Sequence, residues 1–228
     1  MTGPSLSFVI PVLNEVLRIG PLLAALERDF PAAQRIVVDG GSSDDTVTAA
    51  MAGATQLLLG EAGRAAQMNL GARVASGDYL LFLHADSQPL FAADALGRVL
   101  RLAPRWGFFP LRLDGHRAVF RVLEWAINRR SRCSGIGTGD QMLFLRRDLF
   151  LACGGFASIP LMEDVELSKR LRRQVWPLVP ELEVETSARR WEQRGVLRTV
   201  LQMWGLRLAY TLGVTPERLW RIYYGPRG

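Results

Sequence analysis

The chain has 228 residues, 49% of them hydrophobic and 22% charged, a balance that fits one generous globular domain and excludes a disordered or collagen-like chain. Its two cysteines, Cys133 and Cys153, are too few for a disulfide framework and form no C-x-x-C pair, so structural zinc has no support. The net charge of +6 is matched by residues 186–228 alone, where eight arginines face only Glu192 and Glu217.

That basic end suits anionic lipid, a pyrophosphate or nucleic acid, or is simply a solvated face in a chain whose basic residues are nearly all arginine. Met1 to Pro4 carries no basic leader, and the first apolar run, Phe8 to Leu13, contains a proline. No signal peptide is expected, and a reducing cytoplasm is the expected compartment.

In chain order, Leu6 to Pro11 predicts a buried strand, and Val16 to Arg28 a helix with Ile19, Leu22, Leu23 and Leu26 at helical spacing. Arg35 to Asp39 is a β-branched strand. Ser43 or Asp44 is placed to cap a helix over Thr46 to Ala52. Thr55 to Leu59 predicts a strand, Arg64 to Val74 a helix and Tyr79 to His84 a strand. This alternation implies an α/β fold with one mainly parallel sheet flanked by helices.

The rhythm then loosens. A helix is expected over Asp94 to Leu102, a strand over Gly107 to Leu113 and a helix over His116 to Arg130. A Gly-rich loop, Ser134 to Gly139, leads to a strand at Gln141 to Arg146, a brief helix at Asp148 to Cys153 and a helix at Met162 to Arg173. Leu178 and Val179 begin a last short strand region. Val196 to Leu212 is apolar nearly all round, but Arg198 and Arg207 make it a poor membrane span. The expected organisation is one domain over residues 1–190 and a basic, aromatic helical appendage over 191–228.

Four segments carry chemistry. Asp39 ends a strand before Gly40-Gly41-Ser42-Ser43, where parallel sheets bind ligands; the same pattern also serves as a plain capped turn. His84 and Asp86 follow a strand, and a strand-end carboxylate suits a hard cation or a turn cap. Arg64, Gln67 and Met68 share one helical turn, with Arg64 free to hold a phosphate or stack on a base. Glu163 and Asp164 open a helix, which suits the dipole and equally suits a general base with a paired acid beside it.

The order of these segments is more specific than any one of them. Ile10-Pro11-Val12-Leu13-Asn14-Glu15, the Asp39 loop, Gly77 to Asp86, Gly139-Asp140-Gln141, Gly154-Gly155-Phe156 and Glu163-Asp164 together resemble the family 2 glycosyltransferases of the GT-A fold. The resemblance covers roughly residues 5–190. It is nearest to short bacterial members, through Gly63 to Asn69, the His84-Ala85-Asp86 triplet and Ser187 to Trp191.

The resemblance implies the following roles. Pro11, Asn14, Glu15, Asp39, Gly41, Arg64, Gln67, Asn69, His84, Ala85, Arg189 and Arg190 would surround a nucleotide-diphospho-sugar, with uridine the expected base. Asp86, at the end of the family's D-x-D motif, would hold Mn²⁺ or Mg²⁺. Asp164, with Glu163 beside it, would be the base of an inverting transfer. Gly139, Asp140, Gln141 and Trp191 would shape the acceptor side.

Two departures stand out. His84 replaces the first aspartate of the motif, and the only other histidine, His116, comes too early for the family's late metal ligand; Ser187, Arg189 or Arg190 occupies that region. The aromatic residues among the C-terminal arginines suit a bilayer surface, which allows a lipid-linked or carotenoid-like acceptor and a peripheral place on the inner face of the membrane; packing on the domain or on a partner subunit fits them too.

Rival readings have less in their favour. A nucleotidyltransferase wants a Gly-rich phosphate loop after the first strand, where Pro11 to Glu15 stands instead. A binding relative without turnover would bind the nucleotide and not consume it. Nucleic-acid binding has no motif behind its pI of 10.1.

Overall fold

The structure, a computed structural model, describes residues 3–225. Arg227, one of the arginines in the C-terminal excess, lies outside the described residues, as do the outermost ends of both expected segments.

Strands that are apolar on both faces form the centre. β1 (Leu6–Val12) and β2 (Gln34–Asp39) are buried along all but their first residue. Helices α1 (Val16–Asp29) and α2 (Thr46–Met51) flank them, and β3 (Gln56–Leu59) is the partly exposed edge. α3 (Arg64–Val74) crosses to β4 (Tyr79–Phe82), which is wholly buried. These four strands run parallel in the order β3-β2-β1-β4.

Pro11 sits near the end of a central strand without breaking a ladder. Val9 accepts a hydrogen bond from Leu83 N–H, so Val9 and Pro11 face the β4 side, and pairing with β4 ends at Val9–Phe82. The missing N–H therefore has no partner to lose.

Alternate residues of β1 enter different cores. Phe8, Ile10 and Val12 pack with Leu22, Leu23 and Leu26 of α1, while Val9 packs with Met68 and Ala72 of α3. Gly71 is what lets α3 lie so close: a Cβ there would fall 2.5 Å from Val9 Cγ1.

Beyond β4 the chain departs from the expected single sheet. β5 (Ser87–Pro89), α4 (Ala93–Leu100) and β6 (Trp106–Gly107) follow, then β7 (Leu111–Leu113). The strand expected over Gly107 to Leu113 is thus two. It breaks at Phe108-Phe109-Pro110, and β6 joins the main sheet while β7 leaves it.

After α5 (Ala118–Ser134) and one 3-10 turn (Gly139–Gln141), β8 (Phe144–Arg146) pairs antiparallel with β4 and with β6. α6 (Arg147–Ala152) and α7 (Glu163–Arg172) precede β9 (Val184–Thr186). β9 lies between β5 and β7 in a second, three-stranded sheet. Leu178, expected to start a strand, makes only an isolated bridge to Gly107.

α8 (Arg189–Arg194), α9 (Val196–Thr211) and α10 (Pro216–Tyr224) complete the chain. Leu206, Leu219 and Tyr223 of the last two pack on Leu161, Met162 and Val165 at the start of α7. Among the described residues no helix is long and apolar enough to cross a membrane.

The Gly71 contact can be tested. Gly71→Val drives a branched side chain into β1 and should lose about 2–3 kcal/mol, the upper part of the overpacking range. Urea unfolding should show a lower midpoint at an unchanged slope; an unchanged midpoint would mean that α3 does not lie this close to the sheet.

Candidate functional site

The sheet winds outward from β1 in two directions, through β2 and β3 on one side and through β4 on the other. Loops leaving β1 and β4 diverge there and leave a crevice beyond their carboxyl ends. A cavity of about 510 Å³ opens at that point.

Asn14 and Glu15 reach it from the end of β1. Asn14 adopts φ 55°, and its loop is laced to the one after β2: Asn14 N–H donates to Ser42 Oγ, and Ser43 N–H to Asn14 Oδ1, both at 2.9 Å. Glu15 N–H donates to Thr46 Oγ1 at 2.8 Å, and the Glu15 carboxylate holds Arg18 at 2.6 Å. Arg18, absent from the sequence expectations, also lines the cavity.

Asp86 enters from the turn after β4. That strand stops at Phe82, so His84 lies beyond it and not at the end of the expected strand, and Ala85 and Asp86 form the turn that follows. Ser187 N–H donates to Asp86 O at 3.0 Å, which sets the turn against the end of β9. The expected cap is similarly displaced: α2 starts after Asp45, and the Asp44 carboxylate accepts Thr46 N–H at 3.0 Å.

Asp140 and Asp164 meet through the 3-10 turn. Asp164 Oδ2 accepts Gly139 N–H at 2.7 Å, and its Oδ1 accepts Val165 N–H at 2.6 Å. His84 Nδ1 lies 3.7 Å from Asp140 Oδ1, a pair that is ionic when the imidazole is protonated. A Cβ on Gly139 would fall 2.3 Å from His84 Cε1, so only glycine admits the ring. The Asp140 side chain is 43% exposed, yet the walls enclose it enough for desolvation to oppose its ionisation. The nearby His84 side chain and the charges of Arg190 and Arg64 outweigh this and hold the carboxyl well below the usual range.

Glu163 is buried beside Asp164. Its Oε1 lies 3.3 Å from Arg64 Nε, and among the described residues its Oε2 has no hydrogen-bond partner. Burial pushes this carboxyl up; Arg64 pulls it back, and the charge of Asp164 adds to the rise.

Arg189, Arg190 and Trp191 line the cavity from α8, and Gly139 and Asp140 from the turn. Other expected site residues stand outside the wall. Asp39 is buried and holds its own loop, accepting Gly41 and Ser42 N–H at 2.9 Å each, with Gly41 at φ 92°. Gln67 is buried under Gly40, its amide donating to Val12 O and Val38 O at 2.8 Å. Asn69 exchanges two hydrogen bonds with the Phe156 backbone. Gln141 is buried against Ser131, at 2.8 Å. Pro11, His84 and Ala85 also lie behind the wall.

The rest of the wall was missed. Leu123, Ala126, Ile127 and Arg130 come from α5, and Val200, Met203, Trp204 and Arg207 from α9. A signal was present: Arg130 and Arg207 each continue an apolar face at helical spacing, where a core-facing stripe would carry no charge. The cavity thus has a charged end, with Asp86, Asp140, Asp164, Arg189 and Arg190, and a mainly apolar sleeve between α5 and α9 that carries Arg130 and Arg207.

The donor set fits a hard cation shared with a ligand. Such ions take one or two carboxylates and complete their shell with phosphate and water, and Asp86 offers one carboxylate at the charged end. Among the described residues no group of three His, Cys, Asp or Glu forms a cage.

A family model described as Glycosyl transferase family 2 matches residues 7–154. The chain is 37% identical over 112 residues to PGL/p-HBAD biosynthesis glycosyltransferases of Mycobacterium bovis and Mycobacterium tuberculosis, over 43% of this chain. The match spans only 41% of those relatives' length.

Among solved structures, a mannosyltransferase from Pyrobaculum calidifontis in complex with GDP-Man and Mn²⁺ superposes with a TM-score of 0.65 at 21% identity, over 92% of this chain and 62% of the other. S. aureus TarS 1-349 gives 0.63 at 17% identity, over 81% and 60%. Glucosyl-3-phosphoglycerate synthase of M. tuberculosis, with Mg²⁺ and UDP, gives 0.56 at 18%, over 81% and 70%. The fold is the expected GT-A architecture, with the small second sheet added to the expected central one.

The Arg64–Glu163 pair can be tested by a double-mutant cycle. Removing one partner of a buried pair strands the other charge at about 3–5 kcal/mol. Arg64 is partly exposed, so solvent screening reduces the expected loss for Arg64→Ala to about 1–3 kcal/mol. Glu163→Gln in that background should recover most of it in urea unfolding. A loss that persists would trace to packing and not to charge.

Proposed function

The chain belongs to glycosyl transferase family 2, and we propose that it inverts a sugar as it moves it from a UDP-sugar to an apolar acceptor taken up at a bilayer surface. The observation that carries this reading is the two-ended cavity, charged at the crevice of the sheet and mainly apolar between α5 and α9. Relatives of the same fold crystallised with UDP-GlcNAc, with GDP-Man and Mn²⁺, and with UDP and Mg²⁺ support a nucleotide-diphosphate donor at the charged end.

Asp86 would hold Mn²⁺ or Mg²⁺ jointly with the donor's diphosphate, and the cation supplies neutralising charge to that leaving group. Arg189 and Arg190 add fixed positive charge beside it. Asp39 orders the Gly40–Ser43 loop on which the base rests, and Asn14 and Glu15 border the same end. Gln67 and Asn69 act at one remove, by fastening the strand ends and the Phe156 loop.

On the acceptor side of the charged end Asp164 is the base. The acceptor oxygen forms its bond to the anomeric carbon as its proton passes to the Asp164 carboxylate. The bond from that carbon to the diphosphate breaks on the opposite face, and its electron pair leaves with the nucleotide. Gly139 holds Asp164 in place through its amide, Glu163 anchors Arg64 beside it, and Trp191 flanks the acceptor.

Asp86→Ala should abolish metal-dependent UDP binding. Asp164→Asn should leave binding intact and lower turnover by at least a hundredfold. Calorimetric titration with UDP and with GDP, each with and without Mn²⁺, tests the first and identifies the base. Mn²⁺ alone should bind weakly, since Asp86 is the one protein ligand proposed. Full activity of Asp164→Asn would remove the base assignment.

The bilayer part of the reading rests on the lips of the sleeve. On α9, Leu197, Leu201, Trp204 and Leu208 form one stripe, each 62–72% exposed. On α5, Val122 and Trp125 are as exposed, and Arg129 lies over the Trp125 ring at 5.8 Å. Arg198, Arg218 and Arg221 are exposed nearby in sequence. An apolar stripe rimmed by cations fits the headgroup region of an anionic membrane, here the cytoplasmic face.

Sedimentation with vesicles of phosphatidylglycerol should pull the protein down, and vesicles of phosphatidylcholine should do so less. Leu201→Glu with Leu208→Glu should release it by at least tenfold without changing UDP affinity. Equal sedimentation of the double variant would exclude this face.

A further inference from the structure

Four arginines of the cavity wall have no part in the reaction: Arg18 pairs with Glu15, Arg194 lies over the Tyr223 ring, and Arg130 and Arg207 remain. Arg130 lies on α5 one turn beyond Ile127 and two beyond Leu123, on the same face. Arg207 holds the matching place on α9, one turn beyond Met203 and two beyond Val200. They reach the cavity from the two helices that wall its apolar sleeve.

Among the described residues no carboxylate is in direct contact with either and neither is in a salt bridge, whereas Arg64, Arg121 and Arg170 pair with Glu163, Glu124 and Glu166. The buried Arg130 Nε has no hydrogen-bond partner among the described residues, while a terminal nitrogen of the same guanidinium donates to Ser131 Oγ at 2.7 Å. The two instead feel each other. Burial, then the charge of Arg207, pulls Arg130 down to about 10, and burial lowers Arg207 as well. The carboxylates whose fields reach both are Asp164 and Asp140.

Two enclosed cations without a counter-charge cost stability unless a ligand brings the anion. A planar guanidinium is suited to phosphate, which it grips by two parallel hydrogen bonds. The donor's diphosphate is a poor claimant. The residues proposed for it, Asp86, Arg189 and Arg190, come from the turn after β4 and from α8, while Arg130 and Arg207 come from α5 and α9.

We infer that Arg130 and Arg207 clamp a phosphate on the acceptor, close to its reacting oxygen, with the acceptor's apolar chain lying in the sleeve behind it. This rests on the transferase reading of the cavity. It narrows the acceptor from an apolar molecule to an apolar phosphomonoester.

The probe is octyl phosphate, titrated into the full chain at saturating UDP and Mn²⁺ and read by tryptophan fluorescence, since Trp191 and Trp204 line the cavity. Octanol supplies the tail without the charge, and glycerol 3-phosphate the charge without the tail. Octyl phosphate should bind at least tenfold more tightly than either. Arg130→Gln and Arg207→Gln should each lose that preference over octanol, and Arg130→Lys should keep part of it, all at unchanged UDP affinity. Because the Gln variants remove an unpaired charge, they should melt no lower than the parent, and octyl phosphate should raise only the parent's Tm.

Equal binding of octanol and octyl phosphate would overturn the clamp. So would a preference that survives both substitutions. A fall in UDP affinity in the variants would return the arginines to the donor. Glycerol 3-phosphate binding as well as octyl phosphate would overturn the apolar half and indicate a soluble phosphorylated acceptor. If the parent binds no UDP, the transferase reading fails by itself, and the same titration without nucleotide still decides the clamp.

Discussion

Asp86 and Ser187 meet because β5 pairs with β9, and much of the cavity depends on that pairing. The hydrogen bond from Ser187 N–H to Asp86 O closes the end of the small sheet. It fixes the turn that carries Asp86 against the chain that becomes α8, with Arg189, Arg190 and Trp191. From the other edge, β7 joins β9, and the Asp114 carboxylate accepts Ala188 N–H at 2.6 Å. Three short strands thus bring together a carboxylate, two arginines and an aromatic ring from distant parts of the sequence.

The replacement of an aspartate by His84 looks different beside its neighbour. A histidine removes a negative charge from the strand-end motif, but Asp140 lies against it. A carboxylate at the same end of the cavity therefore comes from a different loop, and Gly139 is the residue that leaves room for the arrangement. The imidazole, behind the wall, lies 3.7 Å from that carboxylate and is not among the residues that line the cavity.

The parallel half of the fold was legible because its strands are buried on both faces and read as unbroken apolar runs. The range expected for α3 agrees to the residue, and α1 differs only at its last one. The second half was harder. β7 and β9 have three residues each, too few for any periodicity to register, and the break between β6 and β7 falls within an apolar run. In the cavity the charged residues were visible as strand-end and helix-start carboxylates. Gln67 and Asn69 carry the same kind of polar group, but backbone carbonyls and amides from other elements occupy theirs, and a linear pattern cannot reveal that. Nor could it show that α5 and α9, far apart in the chain, face one another across a sleeve.

The family match ends at residue 154, before α7, β9 and the three last helices. Asp86 lies inside it, whereas Asp164, Arg207 and one whole wall of the sleeve lie outside. The matched range therefore holds Asp86 and the α5 wall, and leaves the α8 arginines and the α9 wall beyond it. A lineage that exchanged its final third would renew the α9 wall and the α8 arginines while Asp86 and the loops after β1 and β2 stayed as they were. In such a lineage, likeness over the first two thirds carries information about what is given and very little about what receives it.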